Sequence, residues 1–120
     1  MRPEKRDAAH LWDMREAARD ASRILGGADL AQFLRPDFET TRLALERKLE
    51  ILGEAARRVS DRFREAHPEI PWKDLIGLRN VISHQYEKVD YGKMFGIVRN
   101  RIPELLRLLK HLVPTPPEDE

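Results

Sequence analysis

Apolar positions recur along this chain at spacings of three and four, the rhythm of one buried face on a helix. Leu11, Met14, Ala18, Ala21 and Leu25 form a first stripe, which predicts a helix over residues 7–25. Gly26-Gly27 stops it, because glycine accepts the left-handed conformation that closes a helix. Residues 29–34 can form a short helix, broken by Pro36. The strongest pattern follows: Leu45, Leu49, Leu52, Ala56, Val59 and Phe63 make a heptad-like seam, which predicts one long helix over residues 40–66. His67-Pro68 ends that helix, and Pro71 suits the start of another over 72–83, with Leu75, Ile82 and either Ile76 or Leu78 inward. A last stripe runs through Tyr91, Met94, Val98, Ile102, Leu105, Leu109 and Leu112, a helix over 90–112 that Pro103 should kink. No stretch sustains the alternation of a strand. The expected fold is all-α: an antiparallel four-helix bundle with one short extra helix. It forms a single domain over residues 1–113, and the Pro- and acid-rich tail 114–120 is too polar to pack and is expected to be disordered.

Composition refines this picture. A helical chain of 120 residues makes a small core, so pairing with a second copy is the expected way to complete it. Charged residues make up 36%, as solvated helix faces require, yet the net charge is only +1. No global field draws in nucleic acid, and any such contact depends on a local patch. Arg57, Arg58 and Arg62 offer one, although a solvated face with Glu54–Arg58 and Arg57–Asp61 pairs is the default reading. With no cysteine there is no disulfide, thiolate metal site or thiol nucleophile. No apolar run is long enough for a bilayer, and residues 1–7 are charged, so a cytoplasmic, membrane-free protein is expected.

Most families of chemistry leave no trace. The four histidines, His10, His67, His84 and His111, have no histidine neighbour at i+3 or i+4, and no metal site is expected. There is no phosphate-cradling glycine loop, no nucleophile elbow and no sign of a cofactor. Trp72 reads as a core or interface anchor, and Trp12, beside Leu11, as packed.

One segment stands apart: Arg79-Asn80-Val81-Ile82-Ser83-His84-Gln85-Tyr86 gathers an arginine, an amide, a hydroxyl, an imidazole and a phenol into eight residues. On a continuous helix Asn80 would share a face with His84, and Arg79 with Ser83. Tyr86 and His84 can converge only if the helix ends near residues 83–85. From pattern alone, a histidine at a helix end is more often a cap or a surface residue, and a tyrosine there a wall of the core.

Arg79, His84 and Tyr86 reproduce the R-x-x-x-x-H-x-Y signature of HepT-type toxins of the HEPN superfamily. The blocks Leu49-Glu50-Ile51-Leu52-Gly53-Glu54-Ala55-Ala56, His67-Pro68-Glu69-Ile70-Pro71-Trp72 and Ile76-Gly77-Leu78-Arg79-Asn80 resemble that family's recurrent blocks in the same order. The likeness spans residues 8–112. One departure is the absence of the tryptophan expected around Met94-Phe95, which bears on packing rather than on the signature.

The resemblance implies a HEPN bundle, a homodimer and a metal-independent endoribonuclease. It further implies a small MNT-type nucleotidyltransferase antitoxin as partner, which silences the toxin by adding AMP to the motif tyrosine, here Tyr86. The residues suit that chemistry. RNA can be cut by its own 2′-hydroxyl if a base, an acid and a cation are supplied. His84 has the side chain whose ordinary pKa, about 6.5, serves as base or acid near neutrality. Arg79 offers a charged, planar fork to phosphate oxygens. Asn80 and Ser83 are supporting candidates. Glu54 either orients Arg79 or merely pairs with Arg58. Since each chain has one motif histidine, a two-fold dimer would supply base and acid from opposite subunits. The competing readings are a non-catalytic partner that presents substrate to a nucleotidyltransferase, and a plain dimerisation module.

Overall fold

The computed structural model describes residues 4–83 and 88–114. Helix α1 spans Lys5–Leu25 and buries the whole expected stripe from Leu11 to Leu25. It stops at Gly26, whose φ of 55° is one that L side chains rarely adopt. Helix α2, Leu30–Phe33, begins with a capping box in which Asp29 accepts from the Gln32 amide and the Gln32 side chain accepts from the Asp29 amide. A single 3₁₀ turn, Pro36–Phe38, leads into α3, Glu39–Arg58.

The long helix expected over residues 40–66 is broken. Val59 and Ser60 are extended, and α4 restarts as Asp61–Ala66. The cause is tertiary. Asp7, buried near the start of α1, accepts from the Ser60 amide at 2.8 Å and from its hydroxyl at 2.6 Å, while the same hydroxyl caps the Phe63 amide. A hydrogen bond to a charged acceptor contributes about 1.5–3 kcal/mol, against about 1 kcal/mol for the backbone bond that a continuous helix would form there. The carboxylate wins, and the apolar pattern survives, since Val59 and Phe63 are both buried.

The helix expected over 72–83 is also divided, into α5, Trp72–Ile76, and α6, Leu78–Ile82, with Gly77 between them. Leu75, Leu78 and Ile82 point inward, which decides between Leu78 and Ile76. Trp72 is buried, donates to the His67 carbonyl at 2.9 Å and meets Phe63 edge-on. Trp12, expected to pack, is instead 41% exposed, because it lies just off the buried stripe of α1.

Chain end and core meet in the last limb: α7, Tyr91–Gly96, a π-helical turn, Ile97–Arg101, and α8, Ile102–Leu109. The expected irregularity at Pro103 takes the form of this wide turn. Proline has no N–H to bond back and its ring crowds the preceding turn, so the helix widens just before it. Met94 is buried, and Phe95 packs its ring 5.6 Å from that of Phe33, filling the place where a tryptophan was expected.

Among the described residues, four helical limbs thus surround one core: α1, α3–α4, α5–α6 and α7–α8, with α2 as the short extra helix. Among the described residues there is no strand, only an isolated bridge between Ser83 and Val89. No helix among them is long and apolar enough to cross a membrane. The tail expected to be disordered lies outside the described residues from position 115 onward.

Gly53 seats α5–α6 against α3. A Cβ built there would lie 2.8 Å from the Leu75 carbonyl oxygen, closer than real Cβ contacts come. In an open helix Gly→Ala gains about 0.8–1.0 kcal/mol. Here backbone would have to move, and overpacking of this kind costs about 1–3 kcal/mol. Gly53→Ala is therefore expected to lower stability in a urea melt, and an increase would show that the close approach is absent in solution.

Candidate functional site

Arg79 lies in α6, four residues before its C-cap, Ser83, and is exposed. The helix ends at Ile82 because Ser83 turns extended and donates its hydroxyl back to the Arg79 carbonyl. The Asp90 amide bonds the Ile82 carbonyl at 2.6 Å, and Ser83 pairs with Val89. These contacts join the residues on either side of positions 84–87. His84 and Tyr86 lie outside the described residues. The helix does end where convergence of the two requires. α6 ends at Ile82, and the face that Asn80 was expected to share with His84 lies outside the described residues. Asn80 itself is exposed on α6.

Arg79 stands between two hollows. The inner one, a cavity of about 70 Å³, is lined by Arg79 and Ser83 from α6 and its cap, Val89 from the segment before α7, and Glu46 and Glu50 from α3. The outer one is an open groove of about 390 Å³ in which Arg47, Glu50, Glu54 and Arg57 of α3 face Arg79, with Gly53 on its lining. Spacing on α3 explains the arrangement. Residues 46, 50, 53, 54 and 57 fall at helical intervals of three and four beside the buried seam of Leu45, Leu49 and Leu52.

The sequence leaves two roles open to Glu54, orienting Arg79 or pairing with Arg58 on the surface. Glu54 does line the outer groove, but both of its oxygens accept from the Arg57 guanidinium, at 3.0 and 2.7 Å. That hydrogen bond holds the Glu54 carboxyl below its ordinary pKa and raises that of Arg57. The expected i,i+4 partners are thus replaced by i,i+3 ones: Glu54 bonds Arg57 rather than Arg58, and Asp61 bonds Arg64 rather than Arg57. The break at Val59-Ser60 removes the helical register on which the Arg57–Asp61 pairing depended.

Glu46 and Glu50 were not singled out in the sequence. Glu46 is half-buried, and the Tyr91 hydroxyl donates to it at 3.4 Å. Burial pushes the Tyr91 phenol above its ordinary value, and the neighbouring Glu46 charge adds to the shift. Arg42 lies over the Tyr91 ring and donates to the Phe33 and Arg35 carbonyls at 2.6 and 2.7 Å, which ties this wall to the α2 loop. Glu50 is exposed and sits 3.7 Å from Arg47, a loose pair. The guanidinium of Arg79 makes no hydrogen bond or ion pair with any described residue. Among the described residues no group of three or more metal-binding side chains is assembled.

A helical bundle with an exposed arginine in the first turn of a short helix, followed in sequence at the proper spacing by the histidine and tyrosine of R-x-x-x-x-H-x-Y, is a HEPN-type architecture. The profile described as Ribonuclease HepT-like matches residues 14–112. A Methanocaldococcus jannaschii protein described as a candidate RNase is 38% identical over 102 residues, covering 84% of this chain and 92% of its own length. A second such protein from the same organism is 31% identical over 110 residues, covering 91% of this chain and 89% of its own length. A Thermococcus cleftensis protein described as a probable ribonuclease HepT is 38% identical over 65 residues, covering 54% of this chain and 59% of its own. No solved structure matches the chain. The chain belongs to the HepT-like ribonuclease family of the HEPN superfamily.

Proposed function

We propose that this chain is the toxin of a HEPN/MNT toxin–antitoxin pair: a cytoplasmic, metal-independent endoribonuclease that cuts RNA by attack of the 2′-hydroxyl on the adjacent phosphate. The observation that carries the reading is the intact R-x-x-x-x-H-x-Y spacing of Arg79, His84 and Tyr86 within a ribonuclease-family match to residues 14–112, with Arg79 on the lining of the inner cavity.

In this mechanism Arg79 binds the scissile phosphate with its planar fork. His84 takes the 2′-hydroxyl proton or delivers one to the leaving 5′-oxygen. The P–O bond to the leaving oxygen breaks as the new P–O bond to the 2′-oxygen forms, which leaves a 2′,3′-cyclic phosphate and a 5′-hydroxyl. Asn80 and Ser83 support the motif. Ser83 does so through the helix end it caps, and Asn80 from the exposed face of α6.

One chain carries one motif histidine, so a homodimer supplies base and acid from two subunits. Light scattering on the purified protein at high micromolar concentration is expected to give twice the chain mass, and a monomer would remove the composite site. The partner is an MNT-type nucleotidyltransferase that adds AMP to Tyr86. The experiment that tests the function is incubation of the purified chain with RNA in EDTA, alone and after treatment with the partner and ATP. Cleavage in the first arm and its loss in the second are expected.

A further inference from the structure

Arginine has five N–H donors in one plane, and a phosphate uses only one edge of that plane. A guanidinium that must present that edge to RNA gains from a carboxylate holding another. Glu54 is one candidate for this task, but it is occupied by Arg57 and, of the two hollows, lines only the outer groove. Glu50 lies one helical turn earlier and lines both hollows together with Arg79, the inner cavity and the outer groove. Its one ion pair, to Arg47 at 3.7 Å, is long and easily exchanged. Glu46, on the same face, is restrained by Tyr91 and lines only the inner cavity of the two.

We propose that Glu50 is the positioning residue for Arg79. When RNA enters, Glu50 leaves Arg47 and holds the back edge of the Arg79 guanidinium, so that the front edge faces the scissile phosphate. Arg47, on the wall of the outer groove, is released at the same moment toward the incoming phosphate backbone. The inference rests on the ribonuclease reading above. It adds a carboxylate that the signature lacks.

Two physical pictures predict opposite signs for its removal. If Glu50 is merely a surface charge, Glu50→Gln removes repulsion of RNA, which tightens binding and leaves turnover unchanged or faster. If Glu50 positions Arg79, Glu50→Gln lowers kcat on the order of tenfold to a hundredfold, the scale expected for a misplaced catalytic group, while KM for RNA stays level or falls.

The experiment measures kcat and KM on an RNA oligonucleotide for the wild type, Glu50→Gln, Glu50→Asp and Glu54→Gln, each in the Arg79 and the Arg79→Lys background. Glu50→Asp is expected to keep an intermediate rate, and Glu54→Gln a kcat close to wild type. In the Arg79→Lys background Glu50→Gln is expected to cost little, because an ammonium has no back edge to hold. An unchanged or raised kcat in Glu50→Gln overturns the proposal, as does an equal loss in both backgrounds. If Arg79→Ala and His84→Ala cleave like the wild type, the ribonuclease assignment of the motif fails instead. Loss of activity in those two variants together with an unaffected Glu50→Gln defeats this inference alone.

Discussion

His84→Ala is expected to lose about a hundred- to ten-thousandfold in RNA cleavage, the range for removing a general acid or base. Arg79→Ala is expected to lose about a hundred- to a thousandfold, because stabilising charge on the phosphate is commonly the largest single term. Both variants should keep the wild-type helical circular dichroism. The Arg79 side chain is exposed on α6 and its guanidinium makes no hydrogen bond or ion pair with the described residues, so its removal opens no cavity in the core. His84 takes no part in the Ser83–Val89 and Asp90–Ile82 contacts, which are made by the backbone of other residues and survive a side-chain change. Arg79→Lys should fall between, since a lysine keeps the charge but not the fork. Near-normal cleavage by His84→Ala would mean that the catalytic imidazole lies elsewhere.

Silencing by modification is the second large effect. Transfer of AMP to Tyr86 forms a bond from the phenol oxygen to the α-phosphorus of ATP and releases pyrophosphate. The product carries a phosphodiester and a nucleoside within the motif, seven residues after Arg79. The new anion competes for the guanidinium that RNA needs, and the base blocks access. Treatment of the wild type with its nucleotidyltransferase and ATP is expected to abolish cleavage and add one AMP mass to the peptide containing Tyr86. Tyr86→Phe should retain at least part of its activity and resist silencing. AMP on another residue, or equal silencing of the Phe variant, would show that Tyr86 is not the switch.

The fold was legible where burial decides. Each residue of the Leu11–Leu25 and Leu45–Phe63 seams is buried as its spacing predicts. The helix boundaries inside those seams were not legible. The break at Val59-Ser60 comes from Asp7, which lies 53 residues earlier, and no local propensity reports such a partner. The division at Gly77 comes with the close approach of Leu75 to Gly53, again a contact distant in sequence. The Gly53 of the I-L-G-E-A block was visible as a letter, but its purpose needed the neighbouring backbone.

The candidate site divides in the same way. Arg79, Ser83 and the end of the helix could be read from a contiguous motif. The facing carboxylates could not, because their partners lie on another limb. A carboxylate in the same block was named, but the one-turn shift from Glu54 to Glu50 depends on which glutamate Arg57 occupies. Glu46 depends on Tyr91, 45 residues away.

The most direct test of the central claim is the end chemistry of the RNA products. Purified protein is incubated with a defined RNA oligonucleotide in EDTA, and the fragments are weighed by mass spectrometry. The account predicts cleavage that persists in EDTA and yields 2′,3′-cyclic phosphate and 5′-hydroxyl ends, both lost in His84→Ala. Fragments with 3′-hydroxyl and 5′-phosphate ends, or cleavage that requires added magnesium, would contradict it.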